Sequence, residues 1–301
     1  MDFSIASPHK SELWYDYRLY INLIEALESL GFKYRKNAKN RIYFLGAPRR
    51  HFYPDVGKFD SEANNLALAY CHFEKINSYN EFNKIFLPSI FVKESVLNER
   101  RKYSKLFKKN SYLDKVSKIE IIKPFSSLVR ENDIADELIC DLSFIGSPRI
   151  RPIVEDIIPI VKKHNLSFHI YGPHWNAYEG NNLASSFVKA SEIPYQDIPK
   201  LSAASKISLV DHHQSMNDIG SVSHKYVDLL SSGAFIISDK NKDAIYNYEG
   251  ICYSSKNELE ELVLYYLDNE SEREKVLARQ MDIVKDNSTI EAARQISKFF
   301  V

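Results

Sequence analysis

Residues 211–239, DHHQSMNDIGSVSHKYVDLLSSGAFIISD, change from polar to amphipathic to apolar within a short distance. Gly220 closes the polar run, and Ser223 is a residue type that caps helices. The apolar positions after Ser223 follow a helical spacing up to Gly233, which can end a helix. Residues 234–237 then predict a short buried strand that is closed by Asp239. A loop, a capped helix and a strand in this order are typical of an α/β unit.

A helix that begins near His224 would point unpaired backbone N–H groups and its positive dipole end at the loop 218–223. This arrangement favours a bound anion, and phosphate is the obvious candidate. Lys225 and Asp228 are three residues apart, so both project from one face, one able to meet a phosphate and the other a sugar hydroxyl. This pair suggests a nucleotide site; the structural alternative is an ordinary capped helix with a solvated Lys and Asp.

The composition limits which classes of protein the chain can belong to. A chain of 301 residues with 44% hydrophobic content can form one or two domains, and we favour two. A net charge of zero gives no global electrostatic argument for nucleic acid, so no nucleic-acid partner is predicted. Cys71, Cys140 and Cys252 are widely spaced and odd in number, which indicates neither a disulfide framework nor a zinc site. We therefore expect a reducing cytoplasm and no metal.

The sequence predicts no membrane-spanning segment, since no apolar run approaches the ~20 residues of a span and no signal peptide is evident. The first 140 residues nevertheless carry more basic than acidic side chains, with a dense basic run at 93–123. This run fits a solvated helical face. Its functional alternative is a platform for anionic lipid headgroups or for an anionic acceptor, which would give peripheral contact with the inner face of the membrane.

Short apolar runs alternate with amphipathic helices along the chain, which points to parallel sheets. The polar, acidic stretch 131–137 is interpreted as a linker, with a domain boundary near residue 140. We predict domains at 1–140 and 141–284, and a helix at about 285–301 that could pack back on the first domain. Ligands of open α/β sheets bind at the carboxyl ends of strands, where Gly146, Gly172, Asp211 and Asp239 all fall.

Three further motifs, DLSFIGSPRIR, FHIYGPHW and IPYQDIPKLSAASKISLVDHH, precede the 211–239 stretch in this order. Together they resemble the nucleotide-sugar-binding domain of GT-B glycosyltransferases, in the group 1 family related to spore-maturation proteins. Lys225 stands where that group usually has Arg, which keeps the charge but not bidentate phosphate contact. LWYDYR and CHFEKINSYNEF resemble motifs of the acceptor domain more loosely. The resemblance implies an α/β fold of two Rossmann-like domains whose parallel sheets face each other across a cleft.

The resemblance also implies roles for individual residues. The base would lie against the loop 193–198, which contains Tyr195, and Asp228 would hold the ribose. Arg149 and Arg151 could reach the phosphates or lie at the surface, and Trp175 could shelter the sugar or fill the core. The diphosphate would meet Lys225 and the amides of the turn before it, beside the strand ends; the implied phosphate-side residues are Gly146, Ser147, Gly172, Gly220, Ser221, Val222, Ser223 and His224.

The predicted function is a glycosyltransferase that moves a sugar from a nucleotide-activated donor to a glycan, lipid-linked or other hydroxyl acceptor. Bacterial surface polysaccharide or glycoconjugate synthesis is the expected setting, without a metal or cofactor. An inverting reaction needs a base, for which Asp16 and His72 are candidates; a helix-terminal acid and a loop-capping histidine are their structural alternatives. A retaining reaction would require neither. The alternative functions are a sugar-nucleotide epimerase and a non-catalytic nucleotide-sugar-binding module.

Overall fold

A computed structural model describes residues 1–6, 15–45, 56, 59–70, 82–107 and 118–301, without the side chains of residues 15, 16, 45 and 99–107. The chain forms two compact units. The first comprises Met1–Ser127 together with Asn287–Val301, and the second comprises Leu128–Asp286. The division therefore falls at residue 128, whereas the sequence analysis placed a boundary near residue 140. Segment 128–139 lies with the second unit because Leu128 packs into that unit's core.

The first unit begins as alternating strands and helices. Its elements up to the division are β1 Asp2–Ala6, α1 Tyr15–Ser29, β2 Lys33–Tyr34, β3 Asn40–Leu45, β4 Asn64–Ala69, β5 Lys84–Leu87, α2 Ile90–Phe107 and β6 Ile119–Ile121. The six strands pair in parallel in the order β2-β1-β3-β4-β5-β6. Every residue of β4 is buried, as expected for a parallel strand covered on both faces. Leu19, Leu23 and Leu27 of α1 pack into the same core.

The second unit repeats the alternation with more helices. Its strands and helices are β7 Cys140–Ile145, α3 Pro152–His164, β8 Phe168–Tyr171, β9 Val188–Ala190, α4 Ile198–Ala204, β10 Ser205–Val210, α5 Gln214–Ile219, α6 His224–Ser231, β11 Ile236–Asp239, α7 Lys242–Tyr248, β12 Ile251–Tyr253, α8 Lys256–Asp268 and α9 Glu270–Val284. Short 3-10 turns lie at Asp136–Leu138, Trp175–Ala177, Ala184–Phe187 and Tyr195–Asp197.

The order of strands in the second sheet determines where a ligand can bind. The sheet is parallel and runs β9-β8-β7-β10-β11-β12, so successive strands are added first on one side of β7 and then on the other. This is the Rossmann order 3-2-1-4-5-6, whose winding reverses between its first and fourth strands. Here those strands are β7 and β10, which pair directly, with Leu209 opposite Phe144. Their carboxyl ends mark the expected binding crevice of this unit.

The C-terminal segment returns to the first unit. Its helix, α10 Thr289–Ser297, packs against α1, and Ala292, Ala293 and Ile296 join the core there. The Asn40 side chain holds the end of the chain, because its amide nitrogen donates to Val301 O at 3.1 Å and its oxygen accepts from Val301 N at 2.9 Å.

Two further findings concern the cysteines and the helices. Cys140 and Cys252 are free thiols, and Cys71 lies outside the described residues. Among the helices that the structure describes, none combines the length and the apolar character needed to cross a membrane.

Candidate functional site

The loops after β7 and β8 meet through glycines. Gly146 N donates to Tyr171 O at 2.9 Å, and a Cβ atom on Gly172 would lie only 2.1 Å from Gly146 O. Only glycine at 172 allows the two backbones to approach this closely. The indole nitrogen of Trp175 also donates to Gly146 O, at 2.9 Å, and Trp175 is 2% exposed. Of its two expected roles, Trp175 has the core role, and it fixes the loop beside the strand end.

Asp211, the first residue after β10, holds two arginines that follow β7. Arg151 Nη1 donates to Asp211 Oδ1 at 2.8 Å, and Arg149 Nη2 lies 3.3 Å from Asp211 Oδ2. Arg151 Nε also donates to Ser147 O at 2.9 Å. The Asp211 side chain is 1% exposed, so these charge-assisted contacts lie in a water-poor environment, where they are stronger than at the surface. Ion pairs therefore link the residue that follows β10 to the loop that follows β7, at the point where the winding of the sheet reverses.

Lys225 brings a third cation to the same place. Its Nζ donates to the Ile145 carbonyl oxygen at 2.6 Å and lies 4.9 Å from the centroid of the Phe144 ring. The Arg151 guanidinium lies 5.5 Å from the same ring. No carboxylate in the described ranges is within ion-pair distance of Lys225, so Asp211 pairs with Arg149 and Arg151 alone, and the charges of Asp211 and Asp239 act on Lys225 only from farther away. We call Arg149, Arg151 and Lys225 together with Asp211 the cation cluster; its excess positive charge suits an anionic ligand.

The cation cluster is electrostatically strained around Lys225. Removal from water and then the charge of Arg151 lower the pKa of Lys225 to about 8. A bound dianion would favour the ammonium and so oppose both effects. Burial lowers the pKa of the neighbouring His224 to about 3, so its imidazole is neutral at pH 7 and adds no charge.

Helix α6 begins at the residue that the sequence predicted. Ser223 has extended backbone geometry, and its hydroxyl oxygen accepts from Tyr226 N at 3.4 Å, which caps the helix that begins at His224. The positive end of an eight-residue helix therefore lies next to Lys225.

The turn before α6 differs from what the resemblance implied. Residues 214–219 form helix α5, and Gly220 closes it in a left-handed conformation with φ 67°. The amides of Gly220 and Ser221 donate to carbonyl oxygens of α5 at 3.2 and 2.9 Å, and Val222 N donates to Asp243 Oδ2 at 3.3 Å. These three residues are also buried. Their amides are therefore already satisfied by acceptors within the second unit.

Two residues to which the resemblance gave adjacent roles are in direct contact. The Tyr195 hydroxyl, in the 3-10 turn before α4, donates to Asp228 Oδ1 in α6 at 2.9 Å. The residues expected on the base and ribose sides of a nucleotide are thus joined by a hydrogen bond, although 33 positions separate them.

A polar network supports the segment after β10. Asp239 Oδ1 lies 2.6 Å from His212 Nδ1, and Asn217 Nδ2 donates to Asp239 Oδ2 at 2.7 Å. Burial raises the pKa of Asp239, but the hydrogen bonds from His212 and Asn217 outweigh it, so the pKa lies below its ordinary value. An ionised Asp239 therefore anchors both the start of the segment and helix α5.

A second group of contacts supports the arginine loop. The Tyr178 hydroxyl accepts from Arg151 N at 3.1 Å and donates to Glu155 Oε1 at 2.6 Å. The sequence analysis named Asp211 as a strand-end residue, but it gave no supporting role to Asp211, His212, Glu155 or Tyr178. Asp211 follows a strand end, which was a usable signal; the others become recognisable only from their contacts.

The predicted site residues fall into four groups. The predicted residues that follow β7 lie in or beside the cation cluster, together with Lys225. Tyr195 and Asp228 form the second group and are joined by a hydrogen bond. The third group is the two candidate bases, Asp16 and His72. The structure describes the backbone of Asp16 in α1 but not its side chain, and His72 lies outside the described residues. Gly220, Ser221 and Val222 support the start of α6 from within the fold.

The fold has known counterparts, and part of the chain matches a family model. Residues 151–296 match the model of a family described as glycosyl transferase-like. The DNA-modifying enzyme beta-glucosyltransferase, whose structure was solved with and without uridine diphosphoglucose, is 12% identical with a TM-score of 0.62, and 99% of each chain is covered. T4 phage BGT with UDP and Mn2+ is also 12% identical, with a TM-score of 0.58 and the same coverage.

Another similar structure comes from S. aureus. A TarM mutant in complex with Fondaparinux, alpha-GlcNAc-glycerol and UDP is 16% identical, with a TM-score of 0.60. The alignment covers 94% of this chain but 59% of TarM. At these identities the likeness establishes the fold alone. Comparison with curated protein sequences finds no match.

The fold is thus of the GT-B class, with two parallel-sheet α/β domains. The family model covers just under half of the chain, and the structural neighbours share its fold. The spore-maturation subgroup stays a prediction.

Proposed function

We propose that the second unit binds the nucleoside diphosphate of a nucleotide sugar and that the protein transfers the sugar to a hydroxyl acceptor. The cation cluster carries this proposal, because it places three cations around one carboxylate at the switch point of a Rossmann-type sheet. An excess of positive charge at this point suits a diphosphate. The structural neighbours described with UDP or uridine diphosphoglucose make UDP the first candidate.

The roles within the cluster follow from exposure. The Arg149 side chain is 34% exposed, whereas that of Arg151 is 9% exposed and committed to Asp211 and Ser147. Arg149 and Lys225 would therefore contact the diphosphate, and Arg151 would hold the loop and the carboxylate in place. The base and the ribose would lie near Tyr195 and Asp228, whose hydrogen bond fixes both side chains.

The reaction would use this charge during bond cleavage. The acceptor oxygen forms a bond to the anomeric carbon of the sugar, and the bond from that carbon to the diphosphate oxygen breaks. The departing diphosphate takes the electron pair, so negative charge grows next to Lys225 and Arg149, which stabilise it without reorganisation. In an inverting reaction the acceptor proton would pass to a base, for which Asp16 and His72 remain the candidates.

Metal independence is part of the proposal, because the cation cluster supplies the positive charge that a metal would otherwise provide. No set of three or more His, Cys, Asp or Glu side chains in the described ranges is placed to hold a metal ion. T4 phage BGT has been described with UDP and Mn2+, so the proposal needs a direct test. Turnover should be unchanged when EDTA is added and when Mn2+ is supplied.

The acceptor is proposed to be a glycan, a lipid-linked glycan or another hydroxyl compound of bacterial surface polysaccharide or glycoconjugate synthesis, in the cytoplasm or at the inner membrane face. One structural neighbour is described as DNA modifying, so the expected lack of a nucleic-acid partner is an open prediction rather than a finding. Membrane contact through the basic first half is likewise a proposal, and residues 108–117 of that run lie outside the described residues.

A thermal-shift screen against nucleoside diphosphates and nucleotide sugars tests the donor site, because a ligand of the folded state raises the melting temperature. We expect one base to be preferred, with UDP first. A flat response to every nucleotide would contradict the proposal. Release of nucleoside diphosphate only when an acceptor is supplied would identify a transferase. An isomerised sugar nucleotide without acceptor would indicate an epimerase, and binding without any turnover would indicate a binding module.

The base assignment has its own test. If Asp16 accepts the acceptor proton, Asp16→Asn should abolish turnover, because an amide cannot take up that proton, and should leave donor affinity unchanged. Calorimetry with the donor and an assay of nucleoside diphosphate release measure the two effects. A fully active Asp16→Asn variant would remove Asp16 from the mechanism and leave His72→Ala as the next variant to assay.

A further inference from the structure

The side chain of Asn241 joins three parts of the second unit. Asn241 precedes α7 and is 1% exposed. Its Nδ2 donates to Ser221 O at 3.0 Å and to Asn217 Oδ1 at 2.8 Å. Its Oδ1 accepts from Asp243 N at 2.9 Å and from Ala244 N at 3.3 Å, which caps α7. Both N–H donors and both lone pairs of this amide are therefore in use, and the partners define which of its atoms is the nitrogen.

The contacts of Asn241 fall on both sides of the turn that leads into α6. Asn217 belongs to α5, which precedes this turn, whereas Ser221 follows it and lies two residues before the cap of α6. The next residue, Val222, is held from the same loop, because its N donates to Asp243 Oδ2 at 3.3 Å. The start of α6 is therefore tied to the loop between β11 and α7.

Lys225 lies in the first turn of α6, so its position depends on where α6 begins. Its Nζ reaches the Ile145 carbonyl oxygen at 2.6 Å, which places the charge at the end of β7. In the described part of the chain, Asn241 forms no hydrogen bond with a residue of the cation cluster. An effect of Asn241 on a bound diphosphate would therefore pass through the turn and α6.

We propose that Asn241 is a positioning residue of the donor site: it holds the start of α6 so that Lys225 faces the diphosphate. The inference rests on the proposed function, since it needs a nucleoside diphosphate at the cation cluster. Its physical basis is the buried amide, whose two N–H groups satisfy one oxygen on each side of the turn. Without these donors both oxygens lose a hydrogen bond, and the turn is expected to shift.

Three variants test this role through UDP affinity, measured by calorimetry well below the melting temperature of each variant. Asn241→Ser keeps a side chain that can cap α7 but removes both N–H donors, and UDP should bind roughly fivefold more weakly. Asn241→Asp places an oxygen opposite Ser221 O and Asn217 Oδ1, and should weaken binding further. The Ser255 hydroxyl caps α8 by accepting from Glu258 N at 3.2 Å, so Ser255→Ala is the matched control and should leave UDP affinity unchanged.

The pH dependence gives a readout that a loss of stability alone would not change. Burial and then the charge of Arg151 hold the pKa of Lys225 at about 8. When Asn241→Ser lets α6 shift and admits water, the pKa of Lys225 should rise, so the fall in UDP affinity should move to higher pH. The substitution does not change the other charges that act on Lys225, which are those of Asp211, Arg149 and Asp239. Ser255→Ala should keep the profile of the unaltered protein.

A double-mutant cycle shows whether Asn241 acts through Lys225. In Lys225→Ala, the further change Asn241→Ser should weaken UDP binding by less than about twofold, because the side chain that Asn241 positions is absent. A loss of roughly fivefold in both backgrounds would overturn the proposal, as would unaltered UDP affinity in Asn241→Ser and Asn241→Asp. If the unaltered protein binds neither UDP nor any other nucleoside diphosphate, the proposed function itself is wrong and this inference fails with it.

Discussion

At the amino end of the second sheet Asp141 pairs with one cation, Lys206, whereas at the carboxyl end Asp211 pairs with two, Arg149 and Arg151. The Asp141 side chain is 22% exposed and Lys206 is 51% exposed, so water screens this pair. Asp211 is 1% exposed. The same kind of contact therefore has different consequences at the two ends: a balanced surface pair at one, and a buried, charge-rich cluster at the other.

Lys225 widens the difference, because it adds a third cation at the carboxyl end without a carboxylate of its own in the described part of the chain. Burial first, and then the charge of Arg151, lower the pKa of Lys225, so the ammonium form is costly at this end of the sheet, and an anion beside it would reduce that cost. The comparison teaches that unbalanced charge, rather than the number of ion pairs, distinguishes the carboxyl end of this sheet from its amino end.

The largest expected effect is on stability. Asp211→Ala leaves the buried Arg151 without its partner beside Lys225, and should lower the free energy of unfolding by about 3 kcal/mol. Lys206→Ala removes the screened pair at the other end while Asp141 keeps its two hydrogen bonds from Ser167, and it should cost about 1 kcal/mol or less. Urea denaturation of the two variants measures both losses. Equal losses would show that the two ends do not differ in burial of charge.

Substitution of Lys225 and of Lys206 should affect UDP affinity differently. Lys225→Ala should weaken UDP binding by about 1.5–3 kcal/mol, because a charge-assisted contact to phosphate is lost. Lys206→Ala is the matched control at the opposite end and should leave UDP affinity unchanged. Calorimetry measures both. If Lys225→Ala binds UDP with unaltered affinity, Lys225 has no role in phosphate binding.

The pH dependence of binding tests the charge state. The Lys225 ammonium predominates below its pKa of about 8, and a bound dianion favours it, so UDP affinity should be highest below pH 8. It should fall roughly tenfold between pH 7 and 9 as the free protein loses that proton. Calorimetry in buffers of different ionisation enthalpy should also detect proton uptake on binding near pH 8. A profile that is equally steep in Lys225→Arg would assign the effect to another group.

The smallest effect concerns the nucleoside side. Tyr195→Phe removes the hydrogen bond to Asp228 and should weaken UDP binding by about 0.5–1.5 kcal/mol. Tyr265→Phe, a half-exposed tyrosine of α8, is the control. If both variants bind UDP like the unaltered protein, then the Tyr195 hydroxyl does not position Asp228 for the ribose.

Local features were predicted well. The parallel α/β alternation follows from apolar runs and helix signals, and the start of α6 at His224 with Ser223 as its cap follows from residue types that act over three positions. Helix α5 was missed, because Gln214–Ile219 carries polar residues and no clear apolar periodicity. That omission made the amides of 220–222 look available, although α5 and Asp243 satisfy them.

The sequence by itself determined which residues lie at strand ends, since strand and turn preferences are local, and so it brought Gly146, Arg149 and Lys225 under consideration. Only the tertiary structure decided that Arg149 and Arg151 pair with the same carboxylate, Asp211, and that Lys225 lies beside them without an ion-pair partner in the described part of the chain. Those contacts join residues about 60 to 80 positions apart, and the pairing of β7 with β10 creates them. Charge balance in a buried site depends on such distant neighbours, which no local pattern encodes.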